Sequence, residues 1–265
     1  YHRVRGLTLK TSLSRAFAPL EDDIRLSWQN FIANPIVPAT QSRRFATLTR
    51  SQFFGWLQAS PFGGNTPSLE ASMRVGAFYR RSGNVATNPY WDVGLQKELS
   101  CRQNFHLLVT DGYWNENNHP VGSAAAGASI TPRTLPDGVA YQPDSALGRI
   151  FGAETPRLSN CVTGGNTPNP IYNHYCSPSF ADIAFNDWAT DLRPDLNNNV
   201  VPYFADLSTG LLGPAGPVTP GQAMSTPEVY FNPRNDPATW QHLVQYVIGF
   251  GVNGQLPYSE DTYQQ

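Results

Sequence analysis

Val4, Leu7, Leu13 and Phe17 recur at near-helical spacing across residues 3–19, and Pro19 closes the stretch. That pattern predicts an amphipathic helix. In DDIRLSWQNF, Ile24, Leu26 and Trp28 alternate with polar neighbours, the period-two signature of a strand. RSQFFGWLQ, residues 50–58, predicts a short helix, and Pro61-Phe62-Gly63-Gly64-Asn65 a turn after it. A further helix opens next. Thr66 stands as its N-cap, Pro67 at its first position and Glu70 in its first turn. Leu69, Met73 and Phe78 or Tyr79 supply its apolar face up to about Arg81.

Residues 104–110, NFHLLVT, predict a buried strand that stops at Asp111-Gly112. From about residue 116 to 178 no period is sustained. This stretch reads as an insertion, part β and part loop, and either a partner-facing loop or a tolerated surface excursion. Regularity returns at Ser179–Leu192, where Phe180, Ala184, Trp188 and Leu192 fall four residues apart on one helical face and Pro194 ends the run. A Pro/Gly-rich loop follows at about 208–224. His242–Val252 predicts an apolar strand, and a polar tail follows Leu256. Helices alternating with nearly continuous apolar strands predict an α/β fold, with a mainly parallel central sheet flanked by helices. The whole of 1–265 is expected to be one domain carrying the insertion.

Composition narrows the function. Charged residues are 14% of the chain against 40% hydrophobic, with 22 Gly and 23 Pro, which implies a neutral, loop-rich surface. Net charge is −2, and only Lys10 and Lys97 are lysines. No basic stripe exists to displace phosphate counterions, so nucleic acid is excluded as a partner. No apolar run reaches membrane-spanning length. The N-terminus shows no signal peptide and begins inside a helical pattern, so the chain is expected to be a processed or trimmed piece. There are 3 cysteines. Cys161 and Cys176 flank TGGNTPNPIYNHY, a stretch that a disulfide would staple. Cys101 would then be free or paired outside the piece. Three reduced, buried thiols are the alternative.

Candidate chemistry is sought just beyond the strands, because ligands of open α/β sheets bind at the carboxyl ends. Asp111 follows HLLVT directly, and Thr66 starts a helix after a Gly-rich loop. A carboxylate and a hydroxyl there suit a hard cation such as Mg²⁺, Mn²⁺ or Ca²⁺. Taken singly, each also reads as a cap or a strand-ending turn. No GxSxG, HExxH, Walker or CxxC pattern occurs. The 5 histidines miss metal-ligand spacing, and His106 inside its strand reads as a core histidine. Asp191, Asp195 and Asn197-Asn198-Asn199 read as a helix end and turn.

Strand–Thr110-Asp111-Gly112 resembles the third metal-site motif of von Willebrand A (vWA)-like domains, and GGNTPSLEASMRVGAFYRR the second. CRQNFHLLVTDGYWN, FADIAFNDWATDLRPDLNNNVVP, DPATWQHLVQYVIGFGVNGQL and IRLSWQNF with FFGWLQASPFGGNTPS resemble, in order, the N-terminal region of PilY-type type IV pilus tip proteins. The resemblance implies a Rossmann-like vWA fold, followed in the full protein by a C-terminal β-propeller. It implies a non-enzymatic adhesin and assembly factor at the extracellular pilus tip, periplasmic in transit through a Gram-negative cell. Minor pilins and a host or abiotic surface ligand would be its partners. By position, Thr66 and Asp111 match the adhesion-site ligands, while the family's Asp-x-Ser-x-Ser motif and its first strand are missing here. A purely structural adaptor on minor pilins is a second reading. A metal-dependent hydrolase is a third, and it lacks any evident base or nucleophile beside Asp111.

Overall fold

A computed structural model describes residues 5–31, 43–61, 66–83, 87–110, 133–141, 180–205, 212–213 and 235–249. Asp111, Cys161, Cys176, most of 116–178 and most of 208–224 lie outside the described residues.

Helix α1 (Arg5–Phe17) forms where the spacing predicts it. The expected strand around Ile24–Trp28 shrinks to β1 (Arg25–Leu26), which pairs antiparallel with β2 (Arg43–Arg44) and adds nothing to a parallel sheet. Its alternation instead sends Ile24, Leu26 and Trp28 into an aromatic cluster against α2 (Thr47–Ala59). Phe53 of α2 is the centre of that cluster. Its ring lies 5.0 Å from Phe17, 5.4 Å from Trp28 and 5.7 Å from Phe45.

Helix α3 (Ser68–Tyr79) buries Leu69, Ala71, Ser72, Val75, Gly76 and Phe78. The face is broad because small residues fill half of it, so a neighbouring helix can approach closely. Hairpin β3 (Trp91–Asp92) and β4 (Lys97–Glu98) follows. Strand β5 (Phe105–Thr110) comes next, then hairpin β6 (Arg133–Thr134) and β7 (Ala140–Tyr141). Helix α4 (Phe180–Ala189) stops short of the expected Leu192. The short pair β8 (Phe204–Ala205) and β9 (Leu212–Gly213) precedes β10 (Val244–Gly249).

Strands β5 and β10 form a parallel ladder in which Phe105 faces Val244 and Thr110 faces Gly249. Helix α4 lies between them in sequence and packs on both α3 and β10, a strand–helix–strand crossover. The molecule is therefore mixed α/β around one parallel pair, with the other described strand pairs antiparallel.

Among the described residues, the run before β10 is deeply buried. Ala238, Trp240, Gln241, His242 and Leu243 are each at most 1% exposed. Trp240 packs with Leu135, Phe185 and Ala189, while Leu243 packs with Val75, Phe78 and Leu192. Backbone groups buried here must find partners. Leu243 N–H donates to Asp187 O at 3.1 Å, Leu192 N–H to Gln241 O at 2.7 Å and Val200 N–H to Thr239 O at 2.9 Å. Gln241 and Leu243 are spent on α4 and its exit, so the ladder begins at Val244 and not at the expected His242.

Candidate functional site

The carboxyl end of the parallel pair is where the fold would hold a ligand. There β5 ends at half-buried Thr110, the residue before Asp111. Thr66 is half-buried in the approach to α3. It does not cap the helix as its sequence position suggests. Pro67 occupies the N-cap with φ −77° and ψ 66° and no side-chain cap bond. The carbonyl of Pro67 already accepts the first helical bond, from Ala71 N–H at 3.0 Å, and the Thr66 carbonyl accepts from Ser68 N–H at 2.8 Å. The missing ring N–H of Pro67 removes one donor that a cap would otherwise have to satisfy. Among the described residues no three His, Cys, Asp or Glu side chains converge to hold a metal.

Polar chemistry concentrates elsewhere, around residues that spacing did not single out. Arg193, 1% exposed, donates to both carboxylate oxygens of Asp195 at 2.8 Å, to Glu98 at 2.5 Å, to the Arg81 carbonyl at 2.9 Å and to Asn88 Oδ1 at 3.2 Å. Its guanidinium lies 5.0 Å over the Tyr90 ring. Burial works against its charge, but the bonds to Asp195 and Glu98 outweigh it and hold the pKa above the ordinary arginine value. This fork ties the exit of α4 to β4 and to the end of α3. Asp191 Oδ1 accepts from Arg193 N–H at 2.9 Å, so this region is a helix end and turn, as the sequence suggests.

Asp187 on α4 is 4% exposed on its side chain and takes Arg80 at 2.7 Å through Oδ1, while its Oδ2 has no hydrogen-bond partner. Burial raises its pKa against the opposing charge of Arg80. His242 is locked at both ring nitrogens, with Nδ1 2.7 Å from Trp240 O and Nε2 2.9 Å from Asp236 Oδ2. A ring so buried and so engaged serves packing and offers no base to a ligand. His106, expected in the core, lies at its edge. It is half-buried, bonds Gln245 at 3.1 Å, and burial lowers its pKa.

Asp92 anchors the β3–β4 hairpin. It accepts from Arg25 at 2.7 Å, from Arg102 at 3.1 Å, and from the N–H groups of Gly94 and Leu95. The bond from Leu95 leads in holding its pKa low. Arg102 is pushed down to about 10, first by burial and then by the Arg25 charge. Cys101, at the start of the segment leading to β5, is an exposed free thiol. Asp92, Arg102 and their partners brace the fold.

No helix among the described residues is long and apolar enough to cross a membrane. No protein-family profile matches the chain, and no solved structure matches it. Three relatives from Pseudomonas aeruginosa do match, each called type IV pilus biogenesis factor PilY1. The strain PAK protein is 34% identical over 267 residues, and that of strain PAO1 is 34% identical over 270. The strain UCBPP-PA14 protein is 31% identical over 262 residues. Each alignment takes in 97% of this chain but only 18–19% of the relative, so the chain spans about a fifth of the proteins it matches. The names denote a biogenesis factor and not an enzyme. Over nearly its whole length, then, this chain is similar to one segment of the PilY1 type IV pilus biogenesis factors, the PilY-type resemblance that its motifs carry.

Proposed function

We propose that this chain is a non-enzymatic part of a type IV pilus assembly factor that also acts as an adhesin at the pilus tip. The observation that carries the reading is the alignment with PilY1 across 97% of the chain. In this reading residues 1–265 form one vWA-like domain, built on the parallel β5–β10 pair with α3 and α4 packed beside it. It passes through the periplasm and works outside the cell. Minor pilins are its assembly partners, and a host or abiotic surface is its adhesive ligand.

The test is genetic. Loss of the encoding gene should reduce surface pili, and restoring the gene should return them. A protein lacking residues 116–178 separates the two roles. Retained piliation with lost attachment assigns that segment to surface binding. Normal pili and normal attachment after gene loss would sink the proposal.

Thr66 and Asp111 remain the proposed oxygen ligands of a divalent cation in the longer protein, with further oxygens supplied from outside the described residues. A bound cation there would leave a coordination position for a partner's carboxylate. Calorimetric titration of the full-length protein with Mg²⁺ or Mn²⁺ should give heat that Asp111→Ala abolishes. Equal heats from both proteins would remove the metal from this account.

A further inference from the structure

Both ring nitrogens of His242 face acceptors. Nδ1 lies 2.7 Å from the Trp240 carbonyl and Nε2 lies 2.9 Å from Asp236 Oδ2, and the residue is 1% exposed. A carbonyl oxygen has no proton to give, and an ionised carboxylate has none either. A neutral imidazole carries one N–H. One of the two contacts would then set a nitrogen lone pair against an oxygen lone pair at hydrogen-bond distance. A buried polar contact left unsatisfied in this way is costly. A second proton satisfies both contacts at once.

That proton belongs on the ring. An aspartic acid ordinarily gives up its proton well before an imidazolium does. The other oxygen of Asp236 accepts from Trp188 Nε1 at 3.3 Å, a bond that favours the ionised carboxylate. Among the described residues, the other charged groups on the elements packed nearby have partners of their own. Asp187 on α4 pairs with Arg80, Asp191 and Asp195 engage Arg193, and Arg133 on β6 donates to Asn186. On β5, His106 bonds Gln245. Just before β5, Asn104 donates its amide to the His242 carbonyl at 3.0 Å. Asp236 is therefore the carboxylate that faces the ring.

The pair stands where three chain segments meet. Asp236 and Tyr203, the residue before β8, exchange two backbone hydrogen bonds of 2.7 Å. Trp188 belongs to α4, and its carbonyl accepts from Trp240 Nε1 at 2.8 Å. His242 lies two residues before β10. We propose that His242 and Asp236 form a proton-held clasp. An imidazolium bonds both acceptors and fastens the lead-in to β10 onto α4 and onto the segment before β8. When the ring gives up its second proton, the Nε2 lone pair faces the carboxylate. Asp236 then turns away, and Trp188 Nε1 loses its acceptor. The clasp is closed on the acid side of that step and open on the alkaline side. It is independent of the pilus reading.

The full-length polypeptide, labelled with heavy nitrogen at histidine and tryptophan, can be read by solid-state NMR. His242→Gln and Trp188→Phe assign the two signals by their loss. At neutral pH both ring nitrogens of His242 should carry protons. Raising the pH should strip one of them and shift the Trp188 indole signal with the same midpoint. In Asp236→Asn the side-chain amide can turn its NH2 toward Nε2, so one ring proton suffices at neutral pH and Trp188 should show no such step. One bare ring nitrogen at neutral pH in the unaltered chain overturns the proposal. So does a Trp188 signal that stays still while the ring deprotonates, or a chain that unfolds before the ring does so. Should either assigning variant fail to fold, sequential carbon–nitrogen labelling of the Gln241–His242 and Asp187–Trp188 neighbours assigns the same signals in the unaltered chain.

Discussion

Gly76 is the residue at which α3 gives way to α4. A Cβ placed on it would stand 2.6 Å from Asp187 Oδ2 and 2.7 Å from Arg80 Nη1, too close for either atom to remain where it is. Gly76→Ala should therefore lower stability by about 1–3 kcal/mol, the range for overpacking a filled interior. Chemical denaturation with an unchanged m-value would check it. Asp187, across that contact, gives a pH test. Its folded pKa is raised above the ordinary 3.8, first by burial, with Arg80 opposing. The unfolded chain thus ionises it more readily, and its contribution to stability is complete below about pH 4 and lost as pH rises through the folded value. Asp187→Asn removes that titration. The stability of the variant relative to the parent should climb across the window above pH 4, and a flat difference from pH 3 to 8 would contradict the assignment. Arg193→Met strips Glu98 and Asp195 of a shared cation and should cost on the order of 3 kcal/mol. Arg193→Lys should recover little, because a point charge cannot reproduce the fork. None of these contacts was legible in the sequence. Arg193 and Glu98 lie 95 positions apart, and Arg80 and Asp187 lie 107 apart. No periodicity reports such pairings, and even His106, expected in the core from its apolar strand neighbours, is only half-buried because Phe105 and Leu107 beside it are exposed.

Elements with a long, regular apolar pattern were readable. Helices α1, α2, α3 and α4 and strands β5 and β10 all lie where the spacing puts them, with ends displaced by a few residues. Helix α3 lost its expected threonine cap because Pro67 takes the N-cap position itself. The β3–β4 hairpin escaped because its strands are two residues long, too short to show alternation. Its turn relies on Gln96 at φ 51°, a left-handed position that glycine or asparagine would have advertised. Helix α2 shows how one side chain fastens two elements. Arg50 donates to the Ala18 carbonyl at 2.8 Å and the Leu20 carbonyl at 2.5 Å, beyond the end of α1, and lies 4.4 Å over the Phe45 ring. One turn on, Phe53, 3% exposed, meets rings from α1 and from both β1–β2 flanks. Phe53→Ala should cost about 3–5 kcal/mol, and Phe53→Leu clearly less, because the leucine refills part of the void. Equal losses in thermal unfolding would show that the cluster is not close-packed around the ring.

At the scale of the molecule the aromatic cluster of α1 and α2 and the α/β part are joined mainly by polar ties. Gln29 Nε2 donates to the Ala71 carbonyl at 2.9 Å, Arg74 to the Phe31 carbonyl at 2.9 Å, and Arg25 pairs with Asp92 at 2.7 Å. Among the described residues the apolar clusters do not cross this joint. Trp28, Phe45, Phe53 and Leu57 form one, while Val75, Phe78, Leu192 and Leu243 form another. Hydrophobic contact is what makes unfolding cooperative, and a joint held by part-buried hydrogen bonds and one ion pair, without a shared apolar cluster, couples weakly. Leu243, fully buried, sits where α3, the exit of α4 and the start of β10 meet. Leu243→Ala should therefore cost about 2–5 kcal/mol in the α/β part alone. Native-state hydrogen exchange followed by mass spectrometry reads this directly. Amides of α3, α4, β5 and β10 should lose protection together, while those of α1 and α2 keep theirs. Equal loss in α1 and α2 would mean that the polar joint transmits the full folding energy and that the described residues unfold as one unit.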